Sequence, residues 1–567
     1  MPVIIKVNMT TKEITTGENP DYGLLGGRAL SARILLDEVP PNCEPFGAKN
    51  KLVIAPGLLA GTPVTSGSRV SCGAKSPLTN GIKEANCGGN IGLFLGRFGI
   101  KAVVLEGQPA DDNAYVLKID KDGSSLLVMN ELKQLGTYET DQKLRARFGK
   151  GIGVLCIGPA GENRLKMAAI ASSDPNGELK FAARGGLGAV MGSKGVKAVV
   201  VDKTLQQPVY HDRQKFMEMV RMIHAEFIND PKIKQVNQKT GTATIVKAVN
   251  AMGALPTRNF RQGAIDGVEG LSGETMYATI TSRGGEGGAG VSCMDGCLIK
   301  CSNIYPDASG KKICSTLQYE NIALLGSNLG FTNLDPVARL NHECDDIGVD
   351  AIEAGAVLGV AIDMGMGTWD DLDGSMALMK EIRNNTVLGK VLGHGVQVTG
   401  DVLGSRRIPA AKGQSFAGYD PRTLKGNGVT YAMSPMGADH TAGNCFGSRG
   451  EVNPRGTGQQ GDLSRSLQYK MCALDSLGFC IFARPPLFKD PSRMTTLVNS
   501  LCGTDISVDQ LWEIMGISVV KTEREFNIRA GLSPANDKLP EYVYLEPLAP
   551  TNEVFDLSEE EMLKGIV

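Results

Sequence analysis

Short apolar runs separated by glycine-rich turns fill the first third of the chain. Val3–Val7, Leu52–Ile54, Ala102–Glu106, Ala114–Ile119, Val154–Gly158 and Val196–Asp202 each have the length and branched content of a strand. From Gln206 the period changes. Phe216–Phe227, Pro336–Ile347, Ala351–Met364 and Ser375–Arg383 repeat apolar residues at helical spacing, the last beside cap residues in Asp371-Leu-Asp-Gly-Ser375. Beyond about Gly404, loops precede further helical stretches. The pattern predicts an α+β fold in three parts: a β-rich domain over 1–205, a helical domain over 206–403, and a mixed, mainly helical domain over 404–567. No short-period repeat is visible, but one six-residue pattern occurs twice.

Composition narrows the classes. A chain of 567 residues that is 42% hydrophobic buries large cores and is not low-complexity disorder. A net charge of −2 gives no electrostatic footprint for nucleic acid or anionic lipid. Thirteen cysteines, an odd number spread along the chain, make a poor disulfide framework and fit metal-bound and free thiols in a reducing compartment. The opening Met-Pro-Val-Ile-Ile-Lys-Val-Asn reads as a strand rather than a signal peptide. No run approaches the ~18 apolar residues of a membrane span. The expectation is a soluble, cytoplasmic protein, with homo-oligomerisation open.

Cys293, Cys297 and Cys301 form a C-x3-C-x3-C segment, and Cys480 lies far downstream. Three clustered thiolates and one remote thiolate supply a cubane iron–sulfur cluster. Cys314 competes with Cys480 as the fourth ligand by proximity in sequence. A structural zinc site is the rival reading, although such sites usually arrive as two C-x2-C pairs, which this chain lacks. The glycine-rich Arg283–Gly290 reads as a flexible approach to the cluster rather than a phosphate loop.

The repeated pattern is Asp345-Asp-Ile-Gly348-Val349-Asp350 and Asp475-Ser-Leu-Gly478-Phe479-Cys480. Further blocks are Ser68-Arg69, Ala74–Thr79, Ala85-Asn86-Cys-Gly88-Gly89, Gly158–Asn163, Ala183-Arg184-Gly-Gly-Leu-Gly, Leu317-Gln-Tyr319-Glu320-Asn, Leu325–Gly330, Gly418–Arg422 and Gly437-Ala-Asp-His440. Together, and in this order along essentially the whole chain, they resemble the tungsten-containing aldehyde:ferredoxin oxidoreductase family.

The resemblance implies a bis-pterin cofactor carrying tungsten or molybdenum, a 4Fe-4S cluster, and a magnesium ion between the pterin phosphates. It assigns one pterin to each hexapeptide, through Asp345, Gly348, Val349 and Asp350 and through Asp475, Gly478 and Phe479. A carboxylate suits the amino-pyrimidine edge of a pterin, because it accepts paired hydrogen bonds. Cys293, Cys297, Cys301 and Cys480 would hold the cluster. Arg69, Asn86, Gly88 and Arg184 would bind phosphates, with Asn86 and the backbone after Arg184 on magnesium. Arg184-Gly-Gly-Leu-Gly also evokes a dinucleotide loop, but it reads as followed by a strand rather than set between strand and helix. Glu320 and His440 would be the acid–base pair. His211, His224, His342 and His394 read as structural, and Tyr319 as either pocket or core.

In architecture, the resemblance implies a β-rich cofactor platform with two helical domains closing over it. In function, it implies interconversion of aldehydes and carboxylic acids, with electrons passing to ferredoxin or an iron–sulfur subunit. Three departures from the family pattern stand out: C-x3-C where C-x2-C is usual, Leu317-Gln318 where Pro-Glu is common, and Thr441-Ala-Gly after His440. Two alternatives stay open. One is an aromatic acyl-CoA reductase of the benzoyl-CoA type with the same cofactor. The other is an electron-transfer or scaffold subunit without an active metal–pterin site.

Overall fold

The structure is a computed structural model that describes residues 3–566. Met1 and Pro2, the start of the first expected strand, and Val567 lie outside the described residues.

Twelve strands build two six-stranded sheets. The first contains β1 (Val3–Asn8), β2 (Glu13–Glu18), β3 (Leu52–Pro56), β4 (Val70–Lys75), β5 (Ile82–Cys87) and β6 (Ile100–Glu106), in the order β2-β1-β6-β3-β4-β5. The second contains β7 (Tyr115–Asp120), β8 (Gly123–Val128), β9 (Gly153–Cys156), β10 (Ile170–Ser173), β11 (Leu179–Ala182) and β12 (Val196–Val201), in the order β8-β7-β12-β9-β10-β11. Adding six to each strand number converts one order into the other.

The pairing directions agree as well. β1 runs parallel to β6 and β7 to β12, each ladder with a register shift near its start, and every other neighbouring pair is antiparallel. In each half one helix connects the second strand to the third (Gly27–Glu38 and Thr137–Phe148), and a seven-residue helix connects the fifth to the sixth (Ile91–Arg97 and Leu187–Ser193). The N-terminal region is thus an internal duplication. Ile5, Ile54 and Leu105 share one apolar cluster with Leu117, Leu155 and Val199, so the two sheets pack on a common core.

After Val201 the chain is mostly helical. The expected helices occur as Arg213–Asn229, Leu334–Ile347, Ala351–Asp363 and Leu372–Arg383, and Asp371 caps the last by accepting from the Gly374 N–H. A three-stranded antiparallel sheet over Gly288–Ser315 interrupts them. The fold is therefore the expected β-rich platform followed by mainly helical structure.

The expectation around Arg184 is corrected. β11 precedes the Arg184-Gly-Gly turn, and the helix Leu187–Ser193 continues from it. The turn is still no dinucleotide loop, because β11 pairs only with β10, and antiparallel, so no parallel strand–helix–strand unit forms.

No single described helix is long and apolar enough to cross a membrane. Gln460–Leu477 and Ile481–Lys489 satisfy that test only together, and they bend by 106° at the turn between them.

Candidate functional site

Both hexapeptides turn out to be the same helix ending. Leu334–Ile347 stops at Gly348 and Gln460–Leu477 at Gly478, with φ of +77° and +89°. An L-residue avoids this left-handed conformation and glycine adopts it freely. The Gly348 N–H bonds back to the carbonyls of Cys344 and Asp345, and the Val349 N–H to Cys344. Gly478 and Phe479 repeat this on Leu474 and Asp475.

Each ending docks on its own half of the platform. The Ala169 N–H donates to Gly348 O at 2.8 Å, and the Asp350 N–H to Met167 O at 3.0 Å. In the other half, the Arg69 N–H donates to Gly478 O at 3.0 Å, and the Cys480 N–H to Ser66 O at 2.9 Å.

A cavity of about 380 Å³ opens between the halves. Of the residues singled out in the sequence, Arg69, Asn86, Gly88, Arg184, Cys293, Cys301, Glu320, Asp345, Val349, Asp350, His440, Asp475 and Cys480 line it. Gly348, Phe479 and Cys297 stand behind the wall, with Phe479 and Cys297 in the same apolar cluster. Tyr319 is core: it is buried and its hydroxyl donates to Gly418 O.

The four thiols belong to one neighbourhood. Cys480 stands within electrostatic reach of Cys293, Cys297 and Cys301, whereas the neighbours of Cys314 are Asp345, Asn341 and Glu178. Ser66 Oγ donates to Cys297 Sγ at 3.6 Å. The Gly89 N–H holds Cys293 O at 2.7 Å, and a Cβ on Gly88 would lie 2.9 Å from that oxygen, so glycine permits the approach. All thirteen cysteines are free thiols.

Burial pushes the Cys301 and Cys480 thiols up, and neighbouring thiolates add to the rise of Cys301. Ionising all four thiols in this buried setting would need a cationic centre to offset desolvation and mutual repulsion, such as an iron–sulfur cluster would supply. Among the described residues, no three His, Cys, Asp or Glu side chains converge on a single-ion site.

The two aspartates have unlike surroundings. Asp345 is buried and accepts only neutral donors, Tyr138 Oη at 3.3 Å and Asn341 Nδ2 at 3.1 Å. Burial lifts its carboxyl well above the usual range. Asp475 accepts Asn86 Nδ2 at 3.1 Å and the Arg28 guanidinium at 3.4 Å, while Arg28 binds Glu523 in a fork at 2.7 and 2.8 Å. Burial and then the nearby Glu84 raise the Asp475 carboxyl to about 8, against the pull of Arg28 and Arg69.

On the cavity wall Glu84 Oε1, Ser315 Oγ and His440 Nδ1 are buried without a hydrogen-bond partner. Buried polar atoms are normally paired. This lining, with its two acceptor carboxylates, fits a ligand rich in donors and acceptors, as a pterin pair is.

The magnesium and phosphate assignments fare differently. Asn86 Oδ1 accepts from Arg69 Nε at 2.5 Å. Arg184 spends its donors on Asp350, Ala438 O and Ser415 at 2.6–3.2 Å. Neither group presents itself to a magnesium–phosphate unit.

Glu320 Oε2 accepts the Gly418 N–H at 2.7 Å, which turns Oε1 toward His440 Nε2 at 3.2 Å. Asp439 precedes His440 and pairs with the buried Lys83. Burial alone would raise the Asp439 carboxyl, but the charges of Lys83 and Arg184 outweigh it and hold the group well below the usual range.

Several contributors escaped the sequence reading. Arg28, Tyr138, Lys83, Glu84 and Lys180 sit in unremarkable local sequence, and only the duplication would have pointed to the first two. Of the histidines set aside as structural, His342 stacks on Tyr138 at 4.9 Å, one contact from Asp345. His224 Nε2 accepts the Thr65 N–H at 3.1 Å beside the thiols, and His394 Nδ1 accepts the Lys166 N–H.

Family models decide the identity of this platform. "Aldehyde ferredoxin oxidoreductase, N-terminal domain" matches residues 4–203, and "Aldehyde ferredoxin oxidoreductase, domains 2 & 3" matches residues 218–565. The chain belongs to the aldehyde ferredoxin oxidoreductase family. It is 32% identical over 572 residues to the tungsten-containing aldehyde ferredoxin oxidoreductase of Thermococcus kodakarensis, covering 96% of this chain and 91% of that one. It is 24% identical to the aliphatic sulfonate oxidoreductase, WOR-like subunit, of Pyrococcus furiosus, covering 92% and 85%. Among solved structures, the active site complex BamBC of benzoyl coenzyme A reductase, bound to 1,5-dienoyl-CoA, shares the fold with a TM-score of 0.81, at 20% identity over 100% of this chain and 94% of that one. As a member of the family the protein is an oxidoreductase, and its relative from Thermococcus kodakarensis is a tungsten enzyme.

Proposed function

We propose that this chain oxidises an aldehyde to a carboxylic acid, or runs the reverse reaction, at a bis-pterin tungsten site, and passes single electrons to ferredoxin or an iron–sulfur subunit. One observation carries the reading: both helix-ending aspartates, the thiol group and the Glu320–His440 pair meet around one cavity. When bound, the tungsten–pterin group would exchange an electron pair with the substrate and the 4Fe-4S cluster would release the electrons singly.

The protein's own residues supply the rest. Asp345 and Asp475 would each accept from one pterin, and Arg69 and Gly88 would lie at its phosphate end. Cys293, Cys297, Cys301 and Cys480 would ligate the cluster. His440 Nε2, 3.2 Å from Glu320 Oε1, would take the proton that leaves with the electron pair and hand it to the carboxylate. Gly418 holds Glu320 in place for this. The backbone divides as 1–205, 206–403 and 404–567, with the cavity at the junction. A cytoplasmic location agrees with the free thiols.

Gln318 on the cavity wall, where the family commonly has Glu, favours a second reading: reduction of an aromatic acyl-CoA at the same cofactor. Native protein assayed for W, Mo and Fe, then tested with aldehydes against aromatic thioesters, separates the two. Protein without tungsten or molybdenum, and inactive on both substrate classes, ends both in favour of a scaffold subunit.

A further inference from the structure

A buried polar atom without a partner points to what a cavity is built to hold. Of the three such atoms on this cavity wall, Glu84 Oε1 alone belongs to a carboxyl group. Glu84 is 7% exposed and lies in β5, two residues before Asn86. Alternate residues of a strand share a face. From that face Asn86 Nδ2 donates to Asp475 Oδ1 at 3.1 Å. Glu84 therefore stands beside the second hexapeptide, and it acts on Asp475 more strongly than any other neighbouring charge.

The surrounding protein does not require a carboxyl here. The Arg28 guanidinium is already forked on Glu523 and bonded to Asp475. The duplication gives a second comparison. Arg69 and Ala169 dock the two helix endings in the same way and lead into β4 and β10. Four residues on, Gly73 corresponds to Ser173, and their ladder partners are Glu84 in β5 and Leu179 in β11. Leu179 lines the cavity as well. One half of the platform thus holds leucine where the other holds a carboxyl group with an unpartnered oxygen.

The chemistry of an amino-pyrimidine edge gives that oxygen a use. A carboxylate that takes the edge in paired hydrogen bonds uses one amino hydrogen and one ring N–H. The second amino hydrogen is left over, and an unpaired donor is costly in a cavity without water. We infer that Glu84 accepts this second hydrogen from the pterin held at Asp475, so that the two halves grip their pterins unequally. The inference deepens the proposed function and rests on its cofactor.

Cofactor release from the holoenzyme tests it. Freed pterin, oxidised and read by its fluorescence, gives the release rate, and the tungsten left on the protein after desalting checks it. Glu84→Leu copies the other half of the platform and should raise the rate roughly 10–100-fold, the size of one hydrogen bond to a charged group. Glu84→Gln keeps the shape and an acceptor oxygen and should raise it by about 3–10-fold. The cofactor-free Leu variant should melt no lower than wild type, because it loses a buried carboxyl group that lacks a full set of partners. Release at the wild-type rate in the Gln variant overturns the inference, whether or not the Leu variant folds. A Leu variant that folds and releases pterin at the wild-type rate overturns it too. Wild type without pterin ends the proposed cofactor and this inference together. Glu84-dependent retention of pterin in an enzyme that oxidises no aldehyde keeps the inference and ends the aldehyde reading.

Discussion

Tyr138 places its hydroxyl 3.3 Å from the Asp345 carboxylate, at the helix position from which Arg28 reaches Asp475 in the other half of the platform. Each is the second residue of its helix. The duplicated scaffold thus offers two carboxylates in equivalent places with different partners: Asp345 accepts from neutral donors, with the charge of Lys180 acting at longer range, and Asp475 accepts directly from a guanidinium.

The two partners should differ sharply in cost when removed. Tyr138→Phe deletes one of two neutral hydrogen bonds to Asp345 and should cost about 1 kcal/mol. Arg28→Met leaves Glu523, which is fully buried, without its partner, and should cost about 3–5 kcal/mol. Denaturant unfolding of the cofactor-free variants measures both. Equal losses would mean that the Arg28 network contributes no more than a neutral contact.

Asp475 also predicts a pH dependence. Its folded carboxyl is raised to about 8, so between the ordinary carboxylate range and pH 8 the folded state binds more protons than the unfolded one. Stability from this group is present in full below its unfolded value and is lost as pH rises through about 8. Cofactor-free wild type should therefore melt at a lower temperature at pH 8.5 than at pH 6, and Asp475→Asn should flatten that difference. A variant profile parallel to wild type would place the titration elsewhere.

The fourth cluster ligand is tested by exchange. Cys480→Ser should reduce iron content and change the cluster's EPR signal, because Cys480 shares a neighbourhood with the other three thiols. Cys314→Ser should leave both intact, since Cys314 lies beside Asp345 and Asn341. The opposite pattern reverses the assignment.

How much of this was legible in sequence depended on what each strand faces. β1, β3, β6, β7, β9 and β12 are apolar runs and stood out. β4, β5, β10 and β11 did not, because they carry buried polar residues, among them Ser71, Lys83, Ser172 and, on the cavity wall, Glu84 and Lys180. Lys83 reads as a surface lysine, yet it is wholly buried against Asp439. The hexapeptide repeat was visible because a positive φ demands glycine and the adjoining Asp is fixed by chemistry. The duplication beneath it was hidden, since a β-ladder constrains burial and spacing rather than residue identity, and even equivalent contacts use different side chains, Arg28 and Tyr138.

The acid–base pair yields the last prediction. Glu320 is anchored through one oxygen by the Gly418 N–H, and its other oxygen stands 3.2 Å from His440 Nε2. Neither residue is among the proposed metal ligands, and both line the cavity. Glu320→Gln keeps the size and the Gly418 contact but removes the charge that would receive a proton from His440. His440→Ala removes the shuttle itself. Each should lower turnover by ~10²–10⁴-fold, the usual contribution of positioned proton transfer, while tungsten and iron contents stay near wild type. The double variant should be little worse than either single one, because two members of one relay do not act additively. Metal lost along with activity would make the pair supports of the cofactor, and full activity in both single variants would move the proton route to another wall of the cavity.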